Sequence, residues 1–177
     1  MKKFLLTVLV LVMSLCLTGC TNEHSNEIES KFYYGYLDIN RYFKNNDVIE
    51  IQYFSEDDCF VPHIRFEIEY IHKDKVFMDT YNPDIKFKYL SVQLFLENML
   101  WDKKNLTEPS DENIETVKNS NFWYGYNTHV IKFDDTFDRN LPKGKYRIDI
   151  ILSVTVDEEE VEIKDEFYFE VVEKNYY

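Results

Sequence analysis

An all-β sandwich of two sheets is the fold this sequence predicts, and three observations predict it. Apolar and polar residues alternate with a period of two in about eight segments, the spacing that sets one face of a strand on a core and the other in water. The 177-residue chain holds 14 Tyr and 14 Phe, residues that fit a pleated, half-buried surface. It has four Gly, no heptads, and no repeat beyond a five-residue echo between FYYGY (32–36) and FWYGY (122–126). Many short strands with little sustained helical pattern point to two packed sheets.

The chain opens with Met1, Lys2 and Lys3, followed by an apolar run from Phe4 to Leu17. That run is too short to span about 30 Å of hydrocarbon as a helix. A basic start, a short apolar stretch and then small residues describe an export signal. Leu17-Thr18-Gly19-Cys20 closes it and resembles a bacterial lipobox, in which the cysteine becomes the first residue of the mature chain and its thiol takes a diacylglyceryl group. Residues 1–19 are therefore expected as a lipoprotein signal peptide. Residues 20–30, polar and without periodicity from Thr21 to Ser30, are expected as a flexible tether, and residues 31–174 as the β domain.

Within that domain, Val48 to Phe54 alternates as a strand. From His63 to His72, Ile64, Phe66, Ile68 and Tyr70 share one face, and Arg65, Glu67 and Glu69 the other. Lys73-Asp74 is read as the turn into a hairpin partner at Val76–Tyr81. Phe87 to Leu96 alternates as a strand, although the stretch extended to Leu100 also fits a helical stripe. Asp102 to Asn121 is polar and reads as a long loop, and Trp123 to Phe133 as a strand. Tyr146–Val156 and Val161–Val172, joined by an acidic turn at 157–160, form the clearest hairpin. Its inward residues are Tyr146, Ile148, Ile150, Leu152, Val154 and Val156 facing Val161, Ile163, Phe167, Phe169 and Val171.

Leu141-Pro142-Lys143-Gly144-Lys145-Tyr146-Arg147-Ile148 sets a glycine two residues before a tyrosine that opens a late strand. This resembles the tyrosine corner of immunoglobulin-like sandwiches, whose tyrosine hydroxyl bonds back to upstream backbone. The stretch is similar to the turn into the penultimate strand of bacterial immunoglobulin-like domains of surface lipoproteins. VQLFLEN (92–98) and FWYGY (122–126) are similar to their earlier strands. The resemblance covers Phe87 to Glu173. It leaves 31–86 as extra strands or a second small sheet, and departs from the antibody pattern in lacking paired cysteines. It implies an immunoglobulin-like antiparallel β-sandwich after a lipoprotein signal peptide, with an extracellular binding or scaffolding role.

Composition narrows the partners. Removing residues 1–19 takes Lys plus Arg from 20 to 18 against 33 acidic residues, so the formal net charge moves from −13 to −15. Nucleic acid, which calls for a basic footprint, is not expected, nor is a protein lying flat on anionic lipid. Of three cysteines, Cys16 lies in the signal and Cys20 at the lipobox. Cys59 remains alone, so no disulfide or multi-cysteine metal site is expected in the mature chain, and Cys59 reads as a small buried hydrophobe.

No nucleophile elbow, zinc-protease helix, phosphate loop or dinucleotide fingerprint occurs, so no enzyme activity, cofactor or metal site is expected. His63 and His72 lie nine residues apart on one strand and point to opposite faces. His129 reads as a surface or sheet-edge residue. Asp134, Asp135 and Asp138 gather acids in an order that fits no calcium loop. Asp157 to Glu160 reads as a solvated hairpin tip. Phe122, Trp123, Tyr124 and Tyr126, set among polar residues, are candidate ligand-facing aromatics if exposed; if turned inward, alternate rings are core.

The expected function is a non-catalytic binding or scaffolding module. It is held on the extracytoplasmic face of the cell membrane by lipid on Cys20 and meets a protein or glycan partner. The alternative is a protective lipoprotein, an immunity factor or protease inhibitor acting on a cationic toxin or enzyme. Replacing Cys20 tests the anchor. Cys20→Ala is expected to leave the precursor unprocessed or to release the protein from the membrane fraction, read by fractionation. A mature, tightly bound Cys20→Ala protein would contradict it.

Overall fold

The computed structural model describes residues 24–36, 39–51, 63–75, 83–107, 114–121, 126–139 and 141–174. These build ten strands, with no helix among the described residues: β1 His24–Tyr36, β2 Ile39–Phe43, β3 Asp47–Ile51, β4 His63–Lys75, β5 Ile85–Leu96, β6 Met99–Leu106, β7 Ile114–Asn121, β8 Tyr126–Phe137, β9 Gly144–Val156 and β10 Glu159–Glu173. One sheet has the order β2-β1-β4-β8-β7 and the other β3-β10-β9-β5-β6. The two pack face to face as a sandwich. Every pairing is antiparallel except β3 with β10, which is parallel, so the second sheet is mixed rather than purely antiparallel.

The alternation read from the sequence sets the core. On β4, Ile64, Phe66, Ile68 and Tyr70 are fully buried, while Arg65, Glu67 and Glu69 face outward. Tyr146, Ile148, Ile150, Leu152, Val154 and Val156 on β9 are all buried, as are Phe167, Phe169 and Val171 on β10. Aromatic rings join the sheets. Phe32 on β1 lies 4.4 Å from Phe167, Phe43 on β2 lies 5.1 Å from Phe169, and Phe87 on β5 lies 5.1 Å from Phe133 on β8. Each fully buried Phe contributes about 1.5–3 kcal/mol of transfer free energy, so these rings weigh heavily in the association of the sheets.

Turns fix the registers. Glu97-Asn98 and Asp157-Glu158 both have positive φ at the two central positions, the type I′ geometry that matches strand twist in two-residue hairpins. The β9–β10 turn is therefore Asp157-Glu158 alone, and Glu159 and Glu160 already pair with β9. Between β2 and β3 the chain crosses from one sheet to the other through Lys44-Asn45-Asn46. Asn46 takes φ 67°, its N–H donates to the Tyr168 carbonyl at 2.6 Å, and the Tyr168 N–H donates to Asn45 Oδ1 at 2.7 Å. Asn tolerates this left-handed conformation better than most residues.

Several expectations are corrected. His24–Ser30, expected as tether, is the first half of β1 and pairs along its length with β4, because backbone pairing rather than apolar content holds it. The β domain therefore starts at His24 at the latest. Lys73-Asp74 is not a turn but lies within β4. The expected loop from Asp102 to Asn121 contains most of β6 and all of β7, which occupy the outer edges of their sheets. The strand read at Phe87–Leu96 is found as β5, and the helical alternative does not form. Among the described residues of 31–86 there is no separate sheet: β1, β2 and β4 belong to the first and β3 to the second. Asp134 and Asp135 lie on strand β8, where Arg65 Nε bonds Asp134 at 2.9 Å and Lys104 stands 3.6 Å from Asp135.

The entry to β9 has the geometry read from LPKGKYRI. The Tyr146 ring is 2% exposed and stacks on Phe169 at 4.8 Å, and its hydroxyl donates to the Pro142 carbonyl at 2.5 Å. Gly144 has φ 151°, and a Cβ there would lie 2.5 Å from Leu96 Cδ1. Tyr146→Phe keeps the ring and leaves the Pro142 acceptor unpaired, with an expected cost of about 1–3 kcal/mol in chemical denaturation. Gly144→Val is expected to destabilise as well, through both backbone conformation and the clash with Leu96. An unchanged midpoint for Tyr146→Phe would show that the bond holds nothing.

Candidate functional site

The inner face of the first sheet does not stay apolar to its end. On β4 the core-facing parity runs Ile64, Phe66, Ile68 and Tyr70, then continues into His72 and Asp74. On β1 the same parity runs back from Phe32 to Asn26 and His24, and on β8 from Phe133 and Ile131 to His129. Strand register aligns them: His24 pairs with Asp74, Asn26 with His72, and His72 with His129. Asp74 is 0%, His72 2% and His129 8% exposed. His24 and Asn26, on β1, open to solvent, the His24 side chain 37% exposed.

A specific bonding pattern joins these groups. His24 Nδ1 donates to Asp74 Oδ1 at 2.5 Å. Asn26 Oδ1 accepts twice, from the Tyr70 hydroxyl at 2.8 Å and from His72 Nδ1 at 2.7 Å. With its Nδ1 proton committed to Asn26, neutral His72 carries its lone pair on Nε2. That nitrogen lies 2.8 Å from Asp74 Oδ1 but without the alignment of a hydrogen bond. Asp74 Oδ2 is buried and has no hydrogen-bond partner among the described residues. A buried acceptor left so costs about 1–3 kcal/mol. The rings of His24 and His72 stack at 5.7 Å, and those of His72 and His129 lie 6.2 Å apart.

Burial pushes the His72 imidazole below the ordinary histidine range; Asp74 pulls it back up, and His24 pushes it further down. Burial also pushes the Tyr70 hydroxyl up, with the Asp74 charge adding to the shift, so Tyr70 remains a donor. The cluster therefore presents a neutral imidazole and a carboxylate, both shielded, at one end of the sandwich. The same end holds the Asp157-Glu158 turn, where the Asp84 N–H donates to Asp157 Oδ1 at 2.8 Å and the Asp157 N–H to the Asp84 carbonyl at 3.1 Å.

The residues singled out from sequence fall differently. His129, expected at the surface or a sheet edge, is buried on β8 between β4 and β7, because its parity turns it toward the core. His63 and His72 do point to opposite faces, and the partners of His72 come instead from β1 and β8. Cys20, Cys59, Phe122, Trp123 and Tyr124 lie outside the described residues, and Tyr126 begins β8. Sequence reasoning missed the cluster because it closed the strand at His72. Period-two counting carried two residues further would have placed Asp74 beside it.

No protein-family model matches the chain, and no curated protein matches it. In structure it is similar to the CooA pilin subunit from enterotoxigenic Escherichia coli, at 9% identity and a TM-score of 0.29, over 82% of this chain and 99% of that one.

Because folded His72 binds a proton less readily than unfolded His72, the unfolded chain gains protons first as the pH falls below 6.5. The stability tied to this residue is complete above that value and is lost as the pH falls through the depressed folded value. Urea denaturation between about pH 7.5 and about pH 5.5 is expected to show a shallower decline for His72→Gln than for wild type. Parallel profiles would show that His72 does not carry this acid sensitivity.

Proposed function

We propose that the chain is an immunoglobulin-like, non-catalytic binding module held on the extracytoplasmic face of the membrane by lipid on Cys20. The strand order carries this reading. Taking β1, β4, β5, β6, β7, β8, β9 and β10 as successive strands A, B, C, C′, D, E, F and G, one sheet reads A-B-E-D and the other G-F-C-C′. That is the immunoglobulin arrangement with one strand added beside C, and β2 and β3 are insertions between A and B. The Tyr146–Pro142 bond stands where the tyrosine corner belongs, at the start of F.

In such sandwiches the loops at one end of the sheets bind ligands. Here the corresponding end carries the close of β4, the start of β5, the β9–β10 turn, and the junction of β7 and β8, where Asn121 pairs with Tyr126. Phe122, Trp123, Tyr124 and Tyr126 belong to that junction, which suits them to hold a peptide or stack on a sugar. β1 starts at this end too. The four Cα–Cα steps from Cys20 to His24 reach at most about 14 Å, so the reading places the partner close to the bilayer surface.

The test is capture from envelope extract by the immobilised chain from Thr21 to Tyr177, compared with the Trp123→Ala variant. A partner retained by wild type and weakened about 10-fold or more by Trp123→Ala is expected, the scale of an aromatic hot spot. A captured component that ignores this end of the sandwich, or none at all, would count against the reading.

A further inference from the structure

The structure assigns a function to the buried polar cluster: we propose that His24, His72 and Asp74 form a binding site for a divalent zinc ion. This goes beyond the binding-module reading and does not depend on it. The candidate ligand atoms of the three residues all lie within 4.8 Å of one another. They come from neighbouring strands whose register is fixed by continuous pairing from His24–Asp74 to Gly35–His63, so the ligands are carried on sheet rather than on loops.

The bonding pattern prepares two of the ligands. Asn26 Oδ1 can only accept, so its 2.7 Å contact fixes the proton on His72 Nδ1 and turns the Nε2 lone pair toward Asp74. A carbonyl oxygen holding the far nitrogen of a ligating histidine is the usual outer support of a metal site. His72 Nε2 and Asp74 Oδ1 then stand 2.8 Å apart as two acceptors, and the second Asp74 oxygen is buried with no hydrogen-bond partner among the described residues. A cation set between imidazole and carboxylate satisfies all of these lone pairs at once. His24, partly exposed at the start of β1, is the ligand on the solvent side and gives the ion its way in.

The donor set selects the metal. Two imidazole nitrogens and one carboxylate oxygen suit Zn²⁺, with a fourth position left for water. A single carboxylate is too few hard oxygens for Ca²⁺ or Mg²⁺. Ligands at about 2.0–2.1 Å from a tetrahedral ion sit about 3.3 Å apart, so the 2.5 and 2.8 Å contacts would open by about half an ångström or more. When His24 Nδ1 takes the metal, the proton it now donates to Asp74 passes to Nε2 of the same ring, and the imidazole binds in its neutral form. Bound ion would pin the first residues of β1 to the end of β4, at the junction with the segment that leads back to Cys20.

The test is titration of ZnCl₂ into the purified full-length protein, stripped with chelator, by calorimetry. One Zn²⁺ per chain and a raised thermal midpoint are expected, with no response to CaCl₂ or MgCl₂. His24→Ala, at a partly exposed position that leaves the core intact, is expected to weaken binding at least 100-fold. Asn26→Ala should weaken it about 10–100-fold, and His63→Ala not at all. Asp74→Asn is also expected to abolish it, and circular dichroism reports whether that variant folds. Absence of Zn²⁺ binding, or equal affinity in wild type and His24→Ala, overturns the proposal.

Discussion

Phe32 on the first sheet and Phe167 on the second meet with ring centroids 4.4 Å apart. Around them Phe43, Phe169 and Tyr146 close a single aromatic layer between the sheets. The rest of the structure depends on this contact. Neither sheet could leave its inner face in water: on β4 and β9 alone, nearly every second residue is a large apolar side chain with almost no exposure. Apolar burial is the dominant favourable term in folding, and here it acts across the gap between sheets. The outer faces contribute much less, since their ion pairs, such as Lys73–Glu27 and Lys132–Glu69, are solvent-exposed and worth a fraction of a kcal/mol each.

The geometry that makes the core also makes the polar cluster. Strand parity cannot turn a residue outward without breaking the pairing, so His72 and Asp74 are held inward by the same register that buries Phe66 and Ile68. An apolar pair at these positions would have packed without penalty. Instead the interior there accommodates a carboxylate and imidazoles through Asn26, Tyr70 and His24. A natural sequence that keeps titratable groups at core parity, tied together by oriented hydrogen bonds, is keeping chemistry at that end of the sandwich rather than stability.

How much of this was legible in the sequence varies along the chain. The β9–β10 hairpin was readable because β9 lies between two strands and buries one whole face, so every second residue from Tyr146 to Val156 is large and apolar. β6 was not, because an edge strand pairs on one side only, and the adjacent Met99 and Leu100 both lie exposed, so its apolar residues do not mark an inward face. β7 likewise has a polar sequence, IETVKNSN, and is held by its pairing with β8. The first half of β1 looked like tether because three of its four inward positions, His24, Asn26 and Ser30, are polar and only Ile28 is apolar. Its polarity is the signature of the cluster, and only the pairing with β4 reveals it. The tyrosine corner was legible because a glycine and a tyrosine at fixed spacing report a single backbone shape. The cluster was not, since its members are separated by up to 105 residues between His24 and His129 and meet only through register.

Native-state hydrogen exchange tests most directly whether the aromatic layer binds both sheets into one unit. The account predicts that the slowest amides of β4, at the centre of the first sheet, and of β9, in the interior of the second, open with the same free energy, equal to that of global unfolding. Two separate protection levels, one for each sheet, would contradict it.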